Sequence, residues 1–278
     1  MKGIISAIKR MEIHDGDGLR TTVFFKGCPL RCIWCHNPES LSFASETAFF
    51  KSRCVGCGAC GGVRDESTAA ICPTEAIYHD GREYTTRELV ELLLEDGVFF
   101  ARGGGVTLSG GECLAQADFA RSVAKALCER NISVYIDTSG YARREVLDSI
   151  IPYAHKFLYD LKAIDPEVHK RCTGKDNALI LENLRYLSDR GWDIEIRYPL
   201  VMGYNDGECE AIARLLIELG RDMRVKVLRY HSFAASRYGA LGLDNTMPDT
   251  ETTVDDVERA VNMLRSYGVD AINGALGD

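Results

Sequence analysis

The chain lacks a run of apolar residues long enough to cross a bilayer. A spanning helix needs roughly 20 such residues in succession, so no membrane partner is expected. Residues 1–13 interleave Lys2, Lys9, Arg10 and Glu12 with their apolar neighbours. A secretion signal does not have that pattern, and a cytoplasmic protein is expected. Positive charge is also short: 33 Lys and Arg face 41 Asp and Glu, for a net charge of −8. Such a chain has little long-range pull on a phosphate backbone, which sets nucleic acid aside as a partner. There is no internal repeat and no low-complexity tract. What remains is an ordinary globular composition over 278 residues, enough to bury a core without covalent staples.

Cysteine, by contrast, is abundant, with eleven residues. Without a secretion signal a disulfide framework is not expected, and metal ligation accounts for them better. Seven fall in two groups near the N-terminus, while Cys113, Cys128, Cys172 and Cys209 are scattered. The last three read as small buried hydrophobes.

The β-branched and aromatic run 21–26 predicts a strand ending at Gly27. Residues 48–84 are rich in Cys, Gly and small side chains without helical periodicity, and predict a small insert in a domain spanning 1–278. Beyond it, apolar stripes predict helices over 86–96, 115–130, 143–151, 177–190, 208–219 and 254–267. Strands at 105–108, 133–137, 156–160, 193–201 and 224–229 alternate with them. That alternation implies an α/β fold on a parallel sheet. Polar residues recur at the strands' C-terminal ends: the first cysteine loop, Gly110-Gly111-Glu112, Asp137, Asp160 and His231. Parallel barrels build their active sites on that edge.

Cys28, Cys32 and Cys35 are spaced C-x3-C-x2-C. Three thiolates in so short a loop can hold three irons of a 4Fe–4S cubane. The fourth iron is then open, as a catalytic metal position is. The alternative is a zinc loop with His36 as fourth ligand, although zinc pairs more often read C-x2-C. Cys54, Cys57 and Cys60 are spaced C-x2-C-x2-C, with Cys72 preceding Pro73. These four could close a second 4Fe–4S cluster completely, for electron transfer or structure. A four-thiolate zinc site is the alternative there.

The first motif, set directly after a strand, resembles the signature of the radical S-adenosylmethionine (SAM) superfamily, and Ser109-Gly110-Gly111-Glu112 resembles its Gly-Gly-Glu turn. The segment Ile13-His14-Asp15-Gly16-Asp17-Gly18-Leu19-Arg20-Thr21-Thr22, followed by Trp34-Cys35-His36-Asn37-Pro38-Glu39, is similar to the activating enzymes of glycyl radical enzymes, the pyruvate formate-lyase activating enzyme type. The likeness continues through Asp137-Thr138-Ser139-Gly140, Asp160-Leu161-Lys162, Ile196-Arg197-Tyr198 and Leu228-Arg229-Tyr230-His231.

The resemblance implies a partial (β/α)6 TIM-like barrel carrying a ferredoxin-like iron–sulfur insert. It implies that SAM chelates the open iron and that one electron breaks its sulfonium bond. The 5′-deoxyadenosyl radical so formed takes a hydrogen from a backbone glycine of a partner, the glycyl radical enzyme. Flavodoxin or ferredoxin would donate the electron. By the same likeness, Gly110 and Gly111 bring backbone close to SAM, and Glu112 accepts from its ammonium group. Trp34 lies by adenine, Asp160 and Lys162 meet the amino-acid end, and His231 meets the ribose. Asp137, Thr138 and Asp160 would share a monovalent cation.

Two positions depart from the family pattern, Asp17 and Cys113, each standing where proline is usual; both bear on loop shape. The insert has four cysteines where relatives with such an insert commonly have eight, so one extra cluster is expected. A radical SAM enzyme acting on a small molecule is the alternative, opposed by the 13–22 segment. A ferredoxin-like electron carrier needs neither an open first motif nor a long α/β body.

Overall fold

The computed structural model describes residues 1–101 and 103–274. Its strands are β1 (Lys2–Glu12), β2 (Arg20–Phe25), β3 (Glu46–Phe49), β4 (Ile77–Asp80), β5 (Arg82–Thr85), β6 (Gly105–Gly110), β7 (Ser133–Thr138), β8 (Lys156–Asp160), β9 (Ile194–Leu200), β10 (Val225–Arg229) and β11 (Ala271–Asn273). The helices are α1 (Glu66–Ile71), α2 (Thr86–Leu94), α3 (Gly97–Phe100), α4 (Ala117–Cys128), α5 (Arg144–Ile150), α6 (Pro166–Thr173), α7 (Ala178–Asp189), α8 (Cys209–Leu219), α9 (Ala235–Ala240) and α10 (Val254–Ser266).

Nine strands form one sheet in the order β11-β10-β9-β8-β7-β6-β2-β1-β5. Neighbours from β2 to β11 run parallel, and β1 and β5 add an antiparallel edge. The parallel strands alternate in chemistry, because successive side chains point to opposite faces. Val106, Leu108, Val134, Ile136, Ile196, Tyr198, Val225 and Val227 join the buried core. That core meets helical stripes such as Phe119-Val123-Leu127 of α4 and Ile180-Leu184-Leu187 of α7, spaced three and four apart as a helix face requires. The alternate positions Thr107, Ser109, Asp137, Glu195 and Arg197 face inward and are polar.

The predicted elements after residue 84 are all present, with ends shifted by a few residues. Helix α4 starts two residues late because residues 113–116 form a tight 3₁₀ turn, capped by the Glu112 carboxylate on the Leu114 N–H. Sequence periodicity missed β1. Its pairing with β2 is broken between Ile5 and Ala7 and again between Lys9 and Glu12, and bulges scramble the period-two pattern that marks a strand.

The cysteine-rich segment hangs between β3 and β4, which form a separate two-stranded antiparallel sheet. Strand β5, inside the predicted insert range, joins the main sheet instead. Lys26, fully buried at the end of β2, ties the small sheet to the barrel. Its Nζ lies 3.0 Å from Asp80 and 3.2 Å from Glu46.

The N-terminal end of the barrel is closed by residues 13–20. Arg20, 1% exposed, donates through Nε to Thr107 Oγ1 (2.8 Å) and through Nη2 to the Val106 and Ser133 carbonyls. Its guanidinium stacks on Tyr135, 3.6 Å from the ring centroid. Asp17 accepts from Tyr135 Oη (2.8 Å) and Lys156 Nζ (3.2 Å). A proline at position 17 would lack both bonds.

Candidate active site

Beyond Phe25 the chain turns at Gly27, in the left-handed region (φ 90°), where a Cβ would meet the Phe43 ring at 2.2 Å. The cysteine loop follows. Its Arg31 and Ile33 N–H groups donate to the Thr173 and Cys172 carbonyls at the end of α6 (2.8 and 2.9 Å). Cys28, Cys32 and Cys35 thereby line one cavity of about 540 Å³ at the C-terminal ends of the strands. Trp34, Gly110, Gly111, Asp137, Asp160, Lys162 and His231 line the same cavity. Residues spread over two hundred positions of sequence are thus brought together on the edge that the polar strand ends had marked.

The cavity wall is charged. Lys162 Nζ lies 2.7 Å from Asp160 Oδ2. Burial opposes its charge, but Asp160 and the neighbouring Cys32 outweigh that and hold its pKa above the ordinary lysine value. Arg197 Nη1 lies 3.3 Å from Asp15 and 3.6 Å from Asp137, and its Nε lies 3.9 Å from Glu195. Burial, with Asp160 and Asp15 nearby, pushes the Asp137 carboxyl up to about 7 against the pull of Arg197. Ser109 Oγ donates to Asp137.

Residues 22–216 match the family model of the radical SAM superfamily. The trans-4-hydroxy-L-proline dehydratase activating enzyme of Clostridioides difficile is 37% identical over 86% of this chain and 87% of its own. The choline trimethylamine-lyase activating enzyme of Oleidesulfovibrio alaskensis is 36% identical over 96% of both chains. A crystal structure of a domain of pyruvate-formate lyase-activating enzyme from Bacteroides vulgatus superposes with a TM-score of 0.53 at 28% identity. It covers 62% of this chain and 99% of that domain. The chain belongs to the radical SAM superfamily, among the activating enzymes of glycyl radical enzymes. Membership implies a 4Fe–4S cluster and SAM as cofactors.

The donor set of this activating enzyme fits such a cluster. Burial first, then repulsion from Cys32, pushes the Cys35 thiol up to about 12, and Cys28 is raised by the same causes. All three sulfurs line one cavity, where a cluster's positive iron would stabilise them as thiolates. A zinc loop would use His36, but its Nε2 is hydrogen-bonded to the His231 carbonyl (2.8 Å) and its ring stacks on His231 at 4.2 Å. Among the described residues, no three or more His, Cys, Asp or Glu are gathered as a single ion would require. Cys54, Cys57, Cys60 and Cys72 lie outside the cavity, the first two exposed. Backbone N–H groups, Ile77 foremost with those of Thr74 and Ala76, point at the Cys72 sulfur and hold its thiol below the ordinary value.

Three motif residues, Gly110, Gly111 and Glu112, have close partners within the protein that the motif does not reveal. Glu112 does not line the cavity. It is 1% exposed, and its carboxylate accepts from Leu114 N, Thr138 Oγ1, Ser139 N and Ser139 Oγ (2.6–3.1 Å). All its strong acceptor directions are taken, so it braces the 137–139 turn from behind rather than facing a ligand. The glycines Gly110 and Gly111 are required by the protein's own backbone. A Cβ on Gly110 (φ 114°) would sit 2.1 Å from Phe25 N, and one on Gly111 would sit 2.4 Å from the Ser40 carbonyl oxygen. Gly110→Ala is accordingly expected to cost about 3 kcal/mol through strain and overpacking. The melting temperature should fall by roughly 6 °C or more with no SAM present. An unchanged melting curve would mean that the glycine serves the ligand alone.

No sequence motif singles out a role for Asp15, Ser109, Glu195 or Arg197. The signal was available for two of them, since Glu195 and Arg197 alternate with Ile194, Ile196 and Tyr198 inside an otherwise apolar strand. Of the scattered cysteines, Cys113, Cys172 and Cys209 are buried, Cys128 is partly exposed, and the Cys113 thiol donates to the Asp137 carbonyl.

Proposed function

We propose that this activating enzyme cleaves SAM reductively and takes a hydrogen atom from a backbone glycine of its partner, with the cavity at the strand ends as the place where both meet. The observation that carries this reading is one cavity holding both the C-x3-C-x2-C loop and the Asp160–Lys162 pair. When bound, the cluster and SAM supply the 5′-deoxyadenosyl radical. The chain binds, orients and shields.

Cys28, Cys32 and Cys35 hold the cluster. Lys162, kept cationic by Asp160, offers a charge-assisted contact to the SAM carboxylate, and Gly110 and Gly111 present backbone to its amino-acid end. Trp34, 5% exposed and in one hydrophobic cluster with Val201 and Tyr230, forms an apolar wall for adenine, and His231 stands on the ribose side. Asp137, Thr138 and Asp160 form the site of a monovalent cation. Arg197 keeps the acidic floor from repelling what binds above it.

The segment 48–84 is taken as a ferredoxin-like unit, with Cys54, Cys57, Cys60 and Cys72 holding a second 4Fe–4S cluster. Flavodoxin or ferredoxin is the proposed electron donor. Eleven cysteines, all of them free, suit a reducing cytoplasm.

Glycine is the fitting target, since flanking amides stabilise its α-carbon radical and no side chain blocks approach. The test is to incubate the reduced enzyme and SAM with an α-deuterated peptide of a partner's glycine loop and weigh the 5′-deoxyadenosine formed. Deuterium in the nucleoside is the expected result, at a low rate because a free peptide must be ordered on binding. Transfer from a small metabolite, with none from any such loop, would move the assignment to a small-molecule radical SAM enzyme.

A further inference from the structure

The cysteine loop is gripped on two sides. Its N–H groups face the end of α6, as described above. Its carbonyl oxygens face the segment 231–246, which contributes donors from three side chains. Tyr238 Oη donates to the Cys35 carbonyl (3.1 Å), Arg237 Nη1 to the His36 carbonyl (3.3 Å) and Thr246 Oγ1 to the Ile33 carbonyl (3.1 Å). Arg237 is itself fixed by Glu39 at 2.6 Å. None of these three residues lies in the motifs by which the function was read.

We propose that Tyr238 is a positioning residue that sets the redox potential of the cluster held by Cys28, Cys32 and Cys35, with Thr246 as its weaker counterpart on the same loop. This rests on the reading of that loop as the cluster site. Tyr238 is 3% exposed, packed among Trp34, Cys172 and Tyr230, so its hydroxyl has little freedom to turn elsewhere. Its hydroxyl also meets the Thr246 hydroxyl, so the two donors to this loop stand side by side. The positive end of the O–H dipole points at the loop carbonyl beside Cys35. Reduction adds negative charge to the cluster, and a fixed positive dipole end nearby favours it. Hydrogen bonding around the sulfurs is one of the levers that set cluster potentials.

The test is a redox titration of the anaerobically reconstituted full chain, followed by the EPR signal that SAM perturbs. Tyr238→Phe removes the hydroxyl and keeps the ring. The midpoint should shift to a more negative potential, with iron content and melting temperature close to the parent. Thr246→Val, on an exposed loop, should shift it in the same direction by less. An unshifted midpoint in Tyr238→Phe overturns the proposal, and so does loss of the cluster in both variants, which would mark the contacts as structural only. Absence of any SAM-perturbed signal in the parent protein would instead sink the assignment of the loop as the cluster site.

Discussion

Alanine at Cys28, Cys32 or Cys35 is expected to abolish reductive SAM cleavage, whereas alanine at Cys54 or Cys57 is expected to leave the SAM-responsive cluster in place. The division follows from position. The first three line the cavity that also holds Lys162 and Asp160, and the others lie outside it in the segment between β3 and β4. The parent protein should contain about eight irons per chain, two four-iron clusters, and a variant in either group about four. Iron and sulfide analysis gives the counts, EPR with and without SAM identifies the surviving cluster, and chromatography of methionine reads cleavage. About four irons plus one zinc in the parent would remove the second cluster. Identical behaviour of the two sets of variants would remove the division of labour.

Arg197→Leu is expected to be among the most damaging single changes outside the cysteines. The guanidinium is the common partner of Asp15, Asp137 and Glu195, and it also donates to the His14 carbonyl (2.8 Å). Removing one partner of a buried ion pair leaves uncompensated charge and costs about 3–5 kcal/mol. In a domain of this size that is roughly 6–20 °C in melting temperature. Asp137→Asn should recover part of the loss in the double variant, because the two side chains are coupled. Strict additivity of the two changes would show that the contact carries no energy.

The barrel was legible in the sequence because its strands carry apolar residues at alternate positions and are separated by helices with clear stripes. The site edge was legible because Asp137, Asp160 and His231 each stand at or just beyond a strand's end. Less visible was anything that depends on two distant segments meeting. Glu112 read as a ligand contact because Gly-Gly-Glu is a local motif, yet its four donors include Thr138 and Ser139, 26 and 27 residues on. The glycines before it read as room for a ligand; they line the cavity, and the side a Cβ would take is filled by the backbone of Phe24, Phe25, Gly27 and Ser40. Strand β1 stayed hidden because its bulges break the alternation, and the clamp at 231–246 because side chain-to-carbonyl contacts leave no periodic trace.

The closure at Arg20 has a kinetic consequence. With its guanidinium wedged between Thr107 and Tyr135, Arg20 fills the N-terminal end of the barrel, while the cavity has its mouth at the strands' C-terminal ends. A protein partner laid across that mouth seals in whatever entered before it. On the proposed function, SAM is expected to bind before the partner, and methionine and 5′-deoxyadenosine to leave after the partner withdraws. Turnover would then be paced by the withdrawal of a macromolecule.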